Sequence, residues 1–307
     1  SGMSRGLGDV YKRQEIDWGS AFKIIASKIN GSDDPDENVL YTSGRASNEA
    51  AFLWGVLARQ IGTNNLPDCS NMCHESSGVA LSESIGIEKG TVKLSCFEKA
   101  DLILVIGQNP GTNHPRMLTA LAACKENGGS VVSINPLEET AMKRFKHPQN
   151  PLHLIGRGVQ IADEHLPVRI GGDAALLQGF AKTILSQGGA DLDFISANTL
   201  GFEDWKKHIE STDWEKIVEQ SGISRDRIEK TGNAIAKSER MIVCWAMGLT
   251  QHENSVAVIQ EVSNLLLAGG HFGKPGAGAC PVRGHSNVQG DRTVGVNHHP
   301  TEDFISS

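Results

Sequence analysis

One pattern recurs along the chain and restricts its fold more than any other. A short apolar run leads into a polar, glycine-bearing loop, and an apolar-periodic helix follows. "NVLYTSGRAS" (38–47) runs into the helix "NEAAFLWGVLARQIG" (48–62), with Ser47 as N-cap. "ADLILVIGQNPGTNHP" (100–115) runs into "PRMLTALAACKENGG" (115–129), and "SVVSINP" (130–136) is a third buried strand. "HLPVRIGGDAALLQGFAKTIL" (165–185) predicts a strand, a Gly-Gly turn and a helix opening at Asp173. Residues 191–237 read as a run of helices, "RMIVCWAMG" (240–248) as a buried strand, and 255–273 as a long helix closed by glycines. Strands alternating with helices imply a parallel sheet covered on both faces, a Rossmann-like α/β fold. The loops "TSGRAS", "GQNPGTN", "NPLEET", "GGD" and "MGLTQ" then stand at the carboxyl ends of strands, where such sheets bind ligands. Five such loops suit a large, polar, extended ligand.

Bulk properties exclude several classes. The net charge of -7 and the scattered lysines and arginines argue against nucleic acid as partner, and aromatics at 5% leave little for base stacking. No window approaches the roughly 20 apolar residues of a membrane helix. Six cysteines in 307 residues make no disulfide framework and read as reduced. Cys96, Cys124 and Cys244 sit in or beside apolar segments and read as small hydrophobes. Residues 1–14 read as a tag or non-native leader, with "SGM" like a cloning scar and "GDVYKRQ" like a translated adaptor.

Two segments carry candidate chemistry. "CSNMCHESSG" (69–78) sets Cys69, Cys73 and His74 beside an acid and Ser-Ser-Gly. A structural zinc site needs four ligands in paired clusters, and no second cluster exists. Sequence-adjacent Cys and His side chains usually diverge, which disfavours a Cys–His nucleophile. A lone thiolate on a metal held mainly by something else fits better. "GKPGAGACPVRGHSNVQGD" (273–291) is too glycine-rich for an element interior, and its glycines would let backbone N–H groups approach an anion beside the Arg283 fork.

Together these motifs resemble the molybdopterin-dependent oxidoreductases that carry a bis-guanylyl pterin, and most nearly formate dehydrogenase catalytic subunits and their formate-dehydrogenase-like relatives. The likeness rests on "IGTNNLPDCSNMCHESSGVAL" (61–81), "IGQNP" (106–110), "RIGGDAALLQG" (169–179), "CWAMGLTQ" (244–251) and "GGHFGKPGAGACPVRGHSNVQGD" (269–291), in family order. It spans about residues 36 to 292. By this resemblance Cys73 falls on the Mo or W ligand, His74 on the neighbouring proton carrier, and Arg283 on the arginine holding a small carboxylate. Asn109 falls among the groups touching one pterin guanylate, Asn135 among the cofactor-binding positions after the third strand, and Asp173 on the acid that pairs with a guanine edge. Met247, Gly248, Gln251, Gly284 and Gln289 fall in loops that cradle the cofactor. One departure is "INPLEE", which sets Asn135, Pro136 and Leu137 where formate enzymes carry acid-Pro-Arg.

The resemblance implies a catalytic-subunit fragment. Residues 15–68 are expected as the first piece of a split α/β domain, 69–283 as an inserted cofactor-binding domain, and 284–307 as the return. The implied cofactor is bis-molybdopterin guanine dinucleotide with Mo or W, with an iron–sulfur cluster in a preceding segment. The implied reaction is two-electron oxidation of a small acid such as formate, served by an electron-transfer partner in the cytoplasm. The fragment itself is expected to be inactive and without cofactor. Cys73 and Arg283 are expected to meet in one crevice. Two rival readings stay open, a cysteine-dependent hydrolase and a nucleotide-binding module without redox chemistry.

Overall fold

A computed structural model describes residues 15–149, 151 and 155–297. The chain divides into two compact units: one joins the chain up to Cys69 to the chain from His285 onward, and the other is Ser70–Gly284.

The larger unit is built on five parallel strands: β1 (Leu102–Ile106), β2 (Ser130–Ile134), β3 (Glu164–Leu166), β4 (Met241–Trp245) and β5 (Gly278–Pro281). Their order is β3-β2-β1-β4-β5. Side chains alternate between two cores, as the period of a strand requires. Leu102, Leu104, Ile106, Met241, Val243 and Trp245 enter one; Ile103, Val105, Ile242 and Cys244 enter the other. Both faces are therefore buried, which is why β1 and β4 are apolar throughout. The helices Asp173–Ser186, Arg225–Lys237 and Ser255–Ala268 cover the first face, with Phe180, Ile228 and Ile259 fully enclosed. The helix Met117–Glu126 covers the second through Leu118, Leu121 and Cys124. Burying a side chain such as Phe180 contributes roughly 1.5–3 kcal/mol.

The order reverses between β1 and β4, since β2 and β3 extend one way and β4 and β5 the other. The loops after β1 and β4 meet there backbone to backbone. Gly248 N–H donates to the Gly107 carbonyl at 3.0 Å. A Cβ on Gly248 would lie 2.4 Å from the Gly107 Cα, and Gly107 has φ +57. Only glycine fits both positions.

Several expectations need correction. Residues 38–47 form no strand: only the isolated parallel bridge Thr42–Asp68 pairs there, and Pro67 offers no N–H to continue it. The loop "TSGRAS" consequently follows no strand of the sheet, and it lies in the smaller unit. β3 is only three residues long, ended by Pro167. The glycine-rich 273–291 segment does contain an element, β5, an edge strand closing on Pro281 where a missing N–H is tolerated. "CSNMCHESSG" is a single helical turn, Ser70–Cys73, running into the helix Glu75–Ile85.

The smaller unit packs Leu40, Ala51, Ala58, Leu66 and Val296 around the helix Asn48–Ile61, which is capped by Ser47 and ended by Gly62 at φ 94. Asp68 pairs with Arg292 at 3.1 Å. No described helix is long and apolar enough to cross a membrane.

Candidate active site

The carboxyl ends of β4 and β5, with the turn that carries Cys73, form one cluster in the larger unit. Val282 N–H donates to the Trp245 carbonyl at 2.8 Å, so the chain leaving β5 is held beside the chain leaving β4. His74 fixes the same segment from the other side. Its Nε2 lies 3.2 Å from the Val282 carbonyl, and its Nδ1 lies 2.9 Å from Ser77 Oγ. Trp245 Nε1–H donates to that same hydroxyl at 2.9 Å. A carbonyl can only accept, so the ring proton sits on Nε2. Nδ1 must then accept the Ser77 hydroxyl proton, while Ser77 accepts from Trp245. The network is satisfied throughout. His74 is 1% exposed, and burial, reinforced by the charge of Arg283, pushes its pKa down to about 4. In this state His74 is a neutral ring that holds the 282–283 backbone.

Cys73 stands at the mouth of this network, half-buried. Its Sγ lies 3.3 Å from Met247 Sδ. Burial raises its pKa, against the Gly284 N–H and the charge of Arg283, which favour the thiolate. A ligand thiolate would thus find one N–H bonded to it and the charge of one guanidinium nearby. Cys73 and Arg283 do come together. Arg283 donates through Nη2 to the Glu88 carbonyl at 3.1 Å, and its own carbonyl lies 3.1 Å from His114 Nε2. The loop after β4 is stitched to the cysteine turn: Gln251 Nε2 donates to the Met72 carbonyl at 2.9 Å, and Ser76 Oγ to the Thr250 carbonyl at 3.3 Å. Cys73 and His74 form no nucleophile pair, because both ring nitrogens are engaged elsewhere.

The remaining expected residues fall in three places. Asn109 and Asn135, after β1 and β2, are joined by Glu139: Asn109 Nδ2 donates to it at 2.7 Å and Asn135 Nδ2 at 3.3 Å. Asp173 opens its helix, 6% exposed, and burial raises its pKa to about 6 despite the charge of nearby His252. His252 is itself held to the Gly248 carbonyl at 2.7 Å. Gln289 lies in the smaller unit, in the helix Val288–Thr293, where its carbonyl accepts from Thr293 Oγ1. Cys69 belongs to that unit too, its Sγ 2.9 Å from His285 Nδ1 and 3.2 Å from the Gly44 nitrogen.

Sequence reasoning passed over Ser77, Trp245, Gln108, His114, Glu139 and His252. Gln108 is buried after β1, its Nε2 3.3 Å from His114 Nδ1, while its Oε1 has no partner among the described residues. Gln108 lies in the loop "GQNPGTN", where nothing in the sequence sets it apart from Asn109.

A buried carboxyl and a buried amide oxygen at strand ends fit a ligand that brings N–H donors. The half-exposed thiol among N–H and guanidinium groups fits a soft metal ligand. Among the described residues no three His, Cys, Asp or Glu side chains gather to hold a metal by themselves. A metal here would be held mainly by another group.

Comparison with known proteins decides the family. The molybdopterin oxidoreductase family model matches residues 11–305. The chain belongs to the molybdopterin oxidoreductase family. An uncharacterized oxidoreductase of Mycobacterium tuberculosis is 48% identical over 306 residues, covering 98% of this chain and 39% of that protein. Formate dehydrogenase H of Escherichia coli is 28% identical over 291 residues, covering 93% of this chain and 38% of that protein. Acetylene hydratase from Pelobacter acetylenicus shares the fold, with TM-score 0.69 and 20% identity over 86% of this chain and 34% of that one. The chain spans about two fifths of the length of the curated relatives it matches. Family membership implies a molybdopterin cofactor with Mo or W.

Proposed function

We propose that the chain is part of the catalytic subunit of a formate-dehydrogenase-like oxidoreductase that oxidises a small acid by two electrons, with formate the simplest candidate. The observation that supports this most is the placement of the Cys73 thiol, half-open, with the Gly284 N–H and the Arg283 charge both acting on it. In this reading the cofactor is the bis-guanine dinucleotide form, and it supplies the redox chemistry when bound. Cys73 ligates its metal. Asp173 accepts from a guanine edge, much as carboxylates accept from bases elsewhere. Asn109, Asn135, Met247, Gly248, Gln251 and Gly284 line its cradle in the larger unit. Residues 69–283 form the cofactor-binding domain inserted into a split one. Electrons leave to a partner subunit or an iron–sulfur cluster, in the cytoplasm.

The chain's own residues then divide the remaining work. Arg283 holds the substrate carboxylate by charge and a two-pronged hydrogen bond. His74, through Val282, fixes the backbone that aims Arg283. Its Nδ1 is the ring atom that could take a proton, and doing so requires the Ser77 hydroxyl to turn away.

Metal and pterin analysis of a full-length protein carrying this chain, with turnover of Cys73→Ala, tests the reading. Molybdenum or tungsten with pterin, and turnover lost in Cys73→Ala, are expected. A metal-free, pterin-free protein, or unchanged turnover in the variant, overturns it.

A further inference from the structure

The larger unit contains a cavity of about 500 Å³ that the reading above does not use. It opens between the turn Leu94–Lys99, the helix Met117–Glu126 and the end of β5. Phe97, Met117, Ala120, Pro281 and Val282 form apolar walls. Arg116 and Arg283 stand on its polar side against the single carboxylate of Glu98, so the lining carries an excess of positive charge. The cavity shares Val282 and Arg283 with the Cys73 cluster.

Formate has no apolar part and would leave nearly all of such a space unfilled. Cavities of this size, apolar with a few convergent polar groups, suit small organic ligands. The positive excess selects an anion, and a guanidinium fork selects a carboxylate. The wall nearest Arg283 is also pre-set. Gln108 Nε2 donates to His114 Nδ1, which leaves the His114 proton on Nε2, where it donates to the Arg283 carbonyl. Gln108 and His114 thereby anchor the arginine's backbone, while its Nη2 is held by the Glu88 carbonyl, a bond that a bound carboxylate would share or replace.

We propose that this cavity binds an organic monocarboxylate with an apolar body, its carboxylate on Arg283 and its body against Phe97, Met117 and Val282. This deepens the reading of Arg283 as an anion clamp and rests on it. The ligand class that this cavity takes is then aromatic or branched carboxylates rather than formate alone.

The test is equilibrium binding by calorimetry to the 307-residue chain, with benzoate, formate and the neutral isostere benzamide as probes. Benzoate should bind about ten-fold or more tighter than either, since only it offers both charge and apolar surface. Ala120→Phe, which fills the space, should weaken benzoate about ten-fold. Arg283→Gln should bring benzoate down to the level of benzamide, and it keeps the inference testable should Ala120→Phe fail to fold. Absence of saturable benzoate binding, or binding unchanged in both variants, overturns the cavity assignment. Metal and pterin analysis of the full-length protein separates the two readings. Benzoate binding without metal or pterin would sink the redox reading alone, and a metal-loaded protein without benzoate binding would sink the cavity alone.

Discussion

The Cys73 cluster and the Asp173 helix start are both proposed to face one cofactor, and the chain treats them in opposite ways. At the first, every buried polar atom of the Trp245–Ser77–His74–Val282 series has a partner supplied by the chain. At the second, a nearly enclosed carboxyl is left with its pKa raised to about 6. Burial acts on both, but His74 is matched as a neutral ring, whereas the Asp173 carboxyl, helped only by its own backbone N–H and the charge of His252, is left with a raised pKa. The difference teaches that the network behind Cys73 is organised in advance, whereas the Asp173 carboxyl leaves room for a ligand to supply donors. Their pH responses should oppose each other. The pKa of His74 is depressed from 6.5 to about 4, so its contribution is complete above 6.5 and is lost as pH falls towards 4. The pKa of Asp173 is raised from 3.8 to about 6, so folding is favoured below 3.8 and that advantage is lost as pH rises towards 6.

The largest expected effect comes from breaking the organised end. Ser77→Ala leaves both the Trp245 indole N–H and His74 Nδ1 buried without partners. At ~1–3 kcal/mol for each orphaned group, the loss should reach about 2–5 kcal/mol. Urea denaturation measures it, and faster exchange of the Trp245 indole proton locates it. A cost below about 1 kcal/mol would mean that water readily enters the network, and the contrast between the two ends would fail.

Relieving the unmet end should have the opposite sign. Asp173→Asn removes a buried charge at neutral pH and should stabilise the cofactor-free chain by about 1–3 kcal/mol at pH 7.5. The gain should fade as pH drops through 6 and vanish only below 3.8, where the wild-type carboxyl is protonated in both states. A gain that is constant across this range would show that the carboxyl is not what titrates. Restored cofactor should reverse the ranking, because the asparagine can accept but cannot offer a charge to the guanine edge. Gly248→Ala tests the meeting of the β1 and β4 loops between these ends. Its Cβ would press on backbone that has no rotamer to yield, so it should cost about 1–3 kcal/mol.

What could be read from the sequence follows the same division. β1 and β4 were legible because strands buried on both faces are apolar without interruption, and β2 because its Val131, Val132 and Ile134 outweigh its two serines. β3 and β5 were obscured: one is a three-residue edge, and the other hides among glycines that usually signal loops. Cys73 and Arg283 were legible as residue types in unusual settings. The partners that set their environment were not. Ser77 reads as an ordinary polar position on a helix, and Trp245 as the last residue of a strand; only the fold makes them neighbours. Whether His74 titrates near neutrality likewise depends on burial, which its sequence neighbours Cys73 and Glu75 do not reveal.

The smallest expected change in stability is also the one that most sharpens the comparison. Cys73 is half-buried, and its Sγ meets the sulfur of Met247, a weak acceptor, and the Gly284 N–H. Cys73→Ala removes one atom at a site where neighbouring side chains can relax, and it orphans none of the His74 series. The cost should lie within about 0.5 kcal/mol, the range of substitutions away from a packed core. A cysteine that is a structural hydrophobe behaves otherwise: Cys124 is fully enclosed, and its replacement by alanine should cost about 1 kcal/mol or more through the cavity left behind. Parallel denaturation curves for Cys73→Ala, Cys124→Ala and wild type separate the cases. If Cys73→Ala costs as much as Cys124→Ala, the thiol at the mouth of the network is part of the core. If it costs nothing while turnover of the full-length enzyme disappears, the sulfur is held in place by the network for chemistry rather than for folding.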